Sequence, residues 1–224
     1  EYLPALTAGS ELDAERSSRI AARLHDYTGL PVDYLERARL RVNVGMFAQH
    51  LAEGQATVGR LDARFAGPTE DALLKEADYD PQSAALSSAY VASFNDYVRN
   101  TLKFGAGRTY KASTEVEKTW DFQHRQPGEE SHGPGVVNVM PDLADAMKHN
   151  PQLKVQLNNG YFDLATPYFA ALYEQRHLPL PASLRANLES HFYPSGHMIY
   201  AREADLAALH ANAAAFIRRN ATAH

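Results

Sequence analysis

The chain has 224 residues and an apolar content of 45%, which suffices to bury a core and form one large domain or two small ones. Its 22 basic and 27 acidic side chains give a net charge of −5, so the chain lacks the basic balance typical of proteins that bind nucleic acid or anionic membranes. The lack of cysteine excludes disulfides, thiolate nucleophiles and cysteine-ligated zinc.

The ends of the sequence and its hydropathy predict a segment of a larger, non-membrane protein. No run approaches the roughly 20 apolar residues that a bilayer-spanning helix needs. Residues 1–4 have neither the basic start nor the apolar core of a signal peptide. Because there is no initiator methionine, we expect the chain to begin inside a longer protein.

Apolar residues at helical spacing dominate the first half of the chain and predict short helices. In the first helix Ile20, Leu24 and Tyr27 fall on one stripe. Gly67-Pro68 is typical of a turn or loop between the later helices. The predicted helices span residues 11–27, 31–39, 44–53 and 83–102.

A stretch rich in glycine and proline separates this helical half from the rest. Between residues 109 and 135 the periodicity is lost, and Gln126-Pro127-Gly128 and Gly133-Pro134-Gly135 bracket polar residues. We therefore predict two parts, a helical segment at residues 1–125 and an α/β segment at residues 126–224.

The second part alternates helices with strands. A helix at 141–149 precedes a strand in which Leu153, Val155 and Leu157 alternate with polar residues, and Asn158-Asn159-Gly160 closes that strand. A helix from Thr166-Pro167 to about residue 177, a short helical stretch, a second strand at 189–193 and a final helix follow. This order predicts the α/β class with a parallel sheet.

Asp163 and His197 each follow one of the two predicted strands. Chemistry in parallel sheets collects at the carboxyl ends of strands. The catalytic triad of α/β-hydrolases runs in the order Ser, Asp or Glu, His, and the acid orients the histidine that takes the proton of the serine. The two residues fit the last two members, although a loop aspartate and a solvated histidine would give the same pattern.

Three segments resemble bacterial members of the serine carboxypeptidase family. Residues 158–169 have the sequence N-N-G-Y-F-D-L-A-T-P-Y-F, residues 193–200 have Y-P-S-G-H-M-I-Y, and residues 57–65 have T-V-G-R-L-D-A-R-F. The resemblance implies the C-terminal part of an α/β-hydrolase sheet with a mainly helical cap at residues 1–125. It also implies a serine-type carboxypeptidase, a hydrolase and protease that releases the C-terminal residue of peptides through an acyl-enzyme. No metal or organic cofactor is implied, and a secreted or periplasmic location is.

The same resemblance assigns roles to individual residues. Asp163 is the acid and His197 the base of the catalytic triad. Met198 is similar to the family methionine that lines the leaving-residue side of the cleft, and Tyr161, close to Asp163 in sequence, is a candidate substrate contact. Apolar packing is the alternative explanation for Met198 and Tyr161.

The nucleophile of the family is absent from this sequence. It lies in a G-x-S-x-G motif, and no serine here has that context; Ser195, for instance, has Tyr193 and His197 at the glycine positions. We expect the nucleophile and the oxyanion donors in a missing N-terminal half of the same protein. The predicted partners are therefore that half and a peptide substrate, and this chain alone is expected to be inactive.

Alternatives remain open at this point. The family resemblance also covers acyltransferases and lyases, and a catalytically silent helical and α/β interaction module would need no triad. A hydrogen bond between the imidazole and the carboxylate would favour the enzyme. Arg60, Asp62 and Arg64 are interpreted as an ordinary polar face with ion pairs, and the histidines lack metal-binding spacing.

Overall fold

The computed structural model describes residues 1–126, 128–131 and 137–221. Pro127 and residues 132–135 of the predicted connection, together with residue 136, lie outside these ranges. The described chain combines helices with two small two-stranded sheets, which is a mixed helix and strand composition compatible with the α/β class.

The chain divides into two compact units. The first unit comprises Glu1–Leu86, Phe162–Ala165 and Gly196–Met198, and the second comprises Ser87–Tyr161, Thr166–Ser195 and the segment from Ile199 onwards. The first unit therefore contains two short insertions from the C-terminal part of the sequence, and these hold Asp163 and His197. The boundary predicted between residues 125 and 126 falls inside the second unit.

Helices form most of the first unit, as the periodicity predicts. They are α1 (Tyr2–Ala8), α2 (Ala14–Thr28), α3 (Val32–Arg37), α4 (Val44–His50) and the start of α5 (Pro81–Asp96). Their buried core contains Ile20 of α2 and Leu35 of α3, together with Leu30 and Leu40 from the connections. Sequence periodicity did not reveal α1, whose Ala5 packs into the same core.

The apolar stripe of α2 ends one turn earlier than predicted. Ile20 is buried and Leu24 packs against the core, but Tyr27, the third residue of the predicted stripe, is exposed. The physical reason is a local pairing: the Tyr27 hydroxyl accepts a hydrogen bond from Arg23, whose guanidinium also lies over the ring. Gly29, in the left-handed conformation, ends the helix.

A short antiparallel hairpin follows α4 and was not predicted. Its strands are β1 (Ala56–Val58) and β2 (Ala66–Pro68), paired so that Thr57 faces Gly67. Gly67 and Pro68 therefore lie in a strand, and the prediction of a turn there is wrong. Proline is tolerated because it ends an edge strand. Gly67 leaves room for the Tyr79 hydroxyl, which a Cβ at this position would approach to 2.2 Å unless the tyrosine moved.

The second unit contains a parallel strand pair with a helix between its strands, which confirms the predicted alternation. The elements are the end of α5, a π-helical turn (Tyr97–Thr101), α6 (Met140–His149), β3 (Val155–Gly160), α7 (Tyr168–His177), β4 (Leu188–Tyr193) and α8 (Glu203–Ala221). Strand β3 pairs with β4 in parallel, from Val155 opposite Leu188 to Gly160 opposite Tyr193. The strand thus continues through Asn158 and Asn159, where the sequence predicted its close.

The core of the second unit lies beside this strand pair. Ala144 and Met147 of α6 are completely buried with Leu178 and Leu180, the two leucines of the proline-rich stretch after α7. Within the described part of the chain, none of the helices has both the length and the apolar character that crossing a bilayer requires.

Candidate active site

The structure brings Asp163 and His197 into contact. Asp163 follows the last residue of β3 by three positions, and His197 follows the last residue of β4 by four. The Asp163 Oδ2 atom lies 2.9 Å from the His197 Nδ1 atom, so the predicted hydrogen bond is confirmed. Because an ionised carboxylate can only accept a hydrogen bond, the proton of this bond lies on His197 Nδ1. The Nε2 atom then carries the basic lone pair of the ring.

The two partners differ in their exposure to solvent. The Asp163 side chain is 5% exposed, whereas the His197 side chain is 45% exposed. The second carboxylate oxygen of Asp163, Oδ1, accepts a hydrogen bond of 2.8 Å from the backbone N–H of Ala165. The acid is therefore buried and held by its own turn, while the imidazole is accessible.

A short stretch between β1 and β2, residues 60–64, contacts the loop that carries Asp163. We call it the bridging segment. Ala63 N–H donates to the carbonyl of Phe162, and Leu164 N–H donates to the carbonyl of Arg60, both at 3.0 Å. These two hydrogen bonds flank Asp163 on both sides in sequence. The position of the acid is therefore fixed by backbone contacts with the bridging segment.

The bridging segment also holds the loop that carries His197. The backbone N–H of His197 donates to the carbonyl of Leu61 at 2.7 Å, and the N–H of Gly196 donates to the Asp62 carboxylate at 3.1 Å. The bridging segment and the His197 loop approach each other so closely that a Cβ at position 196 would lie 2.3 Å from the Leu61 oxygen and 2.5 Å from the Asp62 Cβ. Only glycine fits there.

Asp62 is the buried charge of this site. Its side chain is 2% exposed and forms a bidentate ion pair with Arg64, with Nη2 2.7 Å from Oδ2 and Nε 3.0 Å from Oδ1. Burial by itself would raise the pKa of Asp62, but the hydrogen bonds from the Arg64 side chain and backbone and from Gly196 N–H outweigh it. The pKa of Asp62 therefore lies below its ordinary value.

The sequence interpretation missed this role of Asp62. It treated Arg60, Asp62 and Arg64 as an ordinary polar face, and that interpretation is wrong for Asp62, because a residue on a polar surface is not 2% exposed. The available signal was the segment T-V-G-R-L-D-A-R-F itself, which carried the family resemblance yet received no place in the site.

The remaining predicted site residues lie in different surroundings. Met198 belongs to the first unit and is half-buried directly after His197. Tyr161 belongs to the second unit, where its exposed ring stacks on Phe192 at 5.8 Å and meets Tyr168 edge-on at 5.4 Å. Their contact with substrate stays a prediction. Among the described residues, no three potential ligands from His, Asp or Glu converge as they would around a metal ion.

Ser195, two positions before His197, has a structural partner. Its side chain is 1% exposed, and its hydroxyl donates to the carboxylate of Asp205, which is itself buried and paired with Arg202 at 2.8 Å. A hydroxyl engaged in this way is not presented to a substrate. The geometry therefore agrees with the sequence context, which gave Ser195 no place as the nucleophile.

The chain matches no protein-family model, no curated protein and no solved structure.

The Ser195→Ala variant is expected to lose about 1.5–3 kcal/mol of unfolding free energy, because it removes a hydrogen bond to a buried charge. Urea unfolding measures the loss. Ser190→Ala is the matched control, since the Ser190 hydroxyl donates at 3.0 Å to the neutral side chain of Gln175, and we expect about 0.5–1.5 kcal/mol there. Equal losses in the two variants would contradict the charged hydrogen bond.

The lowered pKa of Asp62 predicts a pH-dependent contribution to stability. A carboxyl group with a lower pKa in the folded state stabilises the fold above its unfolded pKa, and this stabilisation disappears as the pH falls through the folded value. The difference in unfolding free energy between wild type and Asp62→Asn should therefore be constant above about pH 5 and shrink below about pH 4.

Thr57→Val provides the control for this titration. Thr57 is fully buried in the same unit and its hydroxyl bonds to Gln49, but the residue has no proton to bind in this range. Its difference from wild type should stay constant with pH. A constant difference for Asp62→Asn as well, measured by urea unfolding across the same range, would contradict the lowered pKa.

Proposed function

We propose that this chain supplies the catalytic base and its acidic partner to a serine carboxypeptidase of the α/β-hydrolase fold. The observation that carries the proposal is the 2.9 Å hydrogen bond between the buried Asp163 carboxylate and the accessible His197 ring. The motifs around both residues, which resemble those of the family, support the same assignment. The parallel pairing of β3 and β4 supports the fold.

In the proposed reaction His197 moves the proton and Asp163 holds the ring. The Nε2 atom of His197 takes the proton of a serine hydroxyl while the serine oxygen attacks the last peptide carbonyl. The proton then passes to the amino group of the leaving C-terminal residue as the C–N bond breaks. In the second half-reaction a water molecule replaces the serine as the attacking group: His197 takes a proton from the water, the acyl ester is cleaved, and the serine recovers its hydroxyl. The Asp163 charge stabilises the imidazolium in each half-reaction.

The serine of this reaction comes from a segment outside the 224 residues. No G-x-S-x-G motif occurs in the sequence, and the Ser195 hydroxyl already donates a hydrogen bond to the Asp205 carboxylate. Two features of the second unit support a missing neighbour. Its sheet has only two parallel strands in the described residues, and parallel sheets are normally larger and covered on both faces.

Exposed aromatic side chains in the second unit give the other support. Tyr97, Phe104, Trp120 and Phe122 are each more than half exposed, and Phe94 at the end of α5 is nearly so. Large apolar side chains exposed in such number are typical of surfaces that bind another protein segment. We propose that the missing N-terminal half, which would complete the sheet, covers part of this surface.

The purified 224-residue chain is expected not to hydrolyse blocked dipeptides, because a base without a nucleophile has only water to deprotonate. Co-expression with the N-terminal half should restore release of the free C-terminal amino acid, measured by chromatography. The same dipeptide with a C-terminal amide is the matched control, and a carboxypeptidase should cleave it much more slowly.

Three results would contradict this expectation. Turnover by the chain alone, abolished by a serine-directed inhibitor, would show that it holds its own nucleophile. Transfer of the acyl group to another acceptor without release of the amino acid would indicate an acyltransferase. No turnover of any blocked peptide by the folded complete protein would favour an interaction module.

Asp163→Asn in the complete enzyme is expected to lower kcat on the order of 10⁴-fold, because the amide favours the wrong tautomer of His197 and removes the charge that stabilises the imidazolium. This loss corresponds to about 5.5 kcal/mol of transition-state stabilisation. KM should change far less, because the interaction strengthens only as the imidazolium forms. Steady-state kinetics on a blocked dipeptide measures both.

Asp71→Asn is the control for the turn that holds Asp163. Asp71 Oδ1 accepts a 2.8 Å hydrogen bond from the N–H two residues later, as Asp163 does, but Asp71 is exposed. Its replacement should leave kcat within a few-fold of wild type. If folded Asp163→Asn behaved like Asp71→Asn, Asp163 would be a structural loop residue and the triad assignment would fail.

A further inference from the structure

We infer that Asp62 is a positioning residue for His197: it holds the His197 loop against the bridging segment, which in turn holds the Asp163 loop. The inference rests on the proposed function, since His197 is a catalytic base only in that reaction. Asp62 does not act on the substrate itself. It acts through the backbone of Gly196, the residue directly before His197.

The contacts of the Asp62 carboxylate carry this inference. The side chain is 2% exposed, and it accepts hydrogen bonds from four N–H groups. Three of these belong to Arg64: the backbone N–H and Nε at 3.0 Å and Nη2 at 2.7 Å. The fourth is the Gly196 N–H at 3.1 Å, which lies 134 positions away in sequence.

Arg64 extends the same connection to the acid. Its guanidinium, held by Asp62, lies over the ring of Phe162 with Cζ 4.5 Å from the ring centre. Phe162 directly precedes Asp163, and its carbonyl accepts the N–H of Ala63. One carboxylate thus orders both sides of the hydrogen bond between Asp163 and His197, directly on the histidine side and through Arg64 on the acid side.

The close approach at Gly196 shows that this contact defines the loop position. A Cβ at position 196 would lie 2.7 Å from the Asp62 Cα, and a Cβ at Gly59 would lie 2.4 Å from the Asp62 carbonyl oxygen. The backbone of Asp62 is thus enclosed between two glycines. Such packing leaves the His197 loop little freedom while the Asp62 carboxylate holds Gly196 N–H.

Positioning at this level has a direct consequence for rate. A misplacement of a catalytic group by about 1 Å can cost on the order of 10²-fold in rate. Without the Asp62 carboxylate, the His197 loop loses its hydrogen bond at Gly196 N–H, while the hydrogen bond from His197 N–H to the carbonyl of Leu61 remains. We therefore expect the ring of His197 to lose its fixed orientation toward Asp163 while the surrounding helices stay folded.

The test compares Asp62→Ala, Asp62→Asn and the control Thr57→Val. Thr57 is as buried as Asp62 and lies in the same unit, and valine matches threonine in shape; the Thr57 hydroxyl bonds to Gln49 and Thr69 and to neither catalytic loop. The readout is the low-field NMR resonance of the His197 Nδ1–H, recorded on the folded 224-residue chain. This proton reports the hydrogen bond to Asp163 without any need for turnover.

We expect the ring-proton resonance to persist in wild type and Thr57→Val and to disappear through exchange with water in Asp62→Ala. Asp62→Asn should give a resonance of intermediate intensity. Its amide oxygen can still accept a hydrogen bond from Gly196 N–H, but the neutral side chain no longer forms an ion pair with Arg64. A resonance in Asp62→Ala as sharp as in Thr57→Val would overturn the inference. If Asp62→Ala does not fold, Asp62→Asn decides by the same comparison.

Kinetics of the complete enzyme supply the second readout. Asp62→Ala should lower kcat on the order of 10²-fold with KM within a few-fold, whereas Thr57→Val should change neither, although both lose stability. Parallel losses in both variants would mean that Asp62 is only structural. If the complete protein has no peptidase activity, the proposed function fails, but the ring-proton comparison still decides whether Asp62 positions His197.

Discussion

The burial of the Asp62 carboxylate is the constraint on which the rest of the site depends. A buried ion loses hydration worth several kcal/mol, about as much as good pairing and hydrogen bonding can restore. Arg64 and the N–H of Gly196 replace that hydration. Because these donors belong to two segments far apart in sequence, satisfying one charge requires the segments to meet. The placement of His197 follows from this requirement.

Local signals were sufficient to predict the strand pair, and they made the loops that follow its strands candidates to meet. The alternation of Leu153, Val155 and Leu157 has the period of a strand, and the helix after it implies a parallel partner. Parallel strands end at the same edge of a sheet, so loops that follow them are candidates to meet. These signals fit a loop aspartate and a solvated histidine equally well, and it was the resemblance of the surrounding motifs to the serine carboxypeptidase family that selected Asp163 and His197. The structure contains the predicted hydrogen bond between them.

Contacts that depend on distant residues could not be predicted in this way. The alternation of Arg60, Asp62 and Arg64 is the same whether Asp62 lies on a surface with ion pairs or is buried between two segments. Its burial depends on Gly196, 134 positions later, whose N–H binds the Asp62 carboxylate. The hairpin of β1 and β2 was hidden for another reason. Strands of three residues have no measurable period, and glycine with proline at the end of an edge strand gives the same signal as a turn.

The unequal exposure of Asp163 and His197 is the feature that separates this pair from an ordinary ion pair. Two exposed partners would be screened by water and contribute little, and two buried partners could not meet a substrate. Here the acid lies out of water, where its hydrogen bond is strengthened by the lower local dielectric. The imidazole remains accessible, as the proposed transfer of a proton to and from a reactant requires. The bridging segment makes this division possible, because it holds both loops through their backbones.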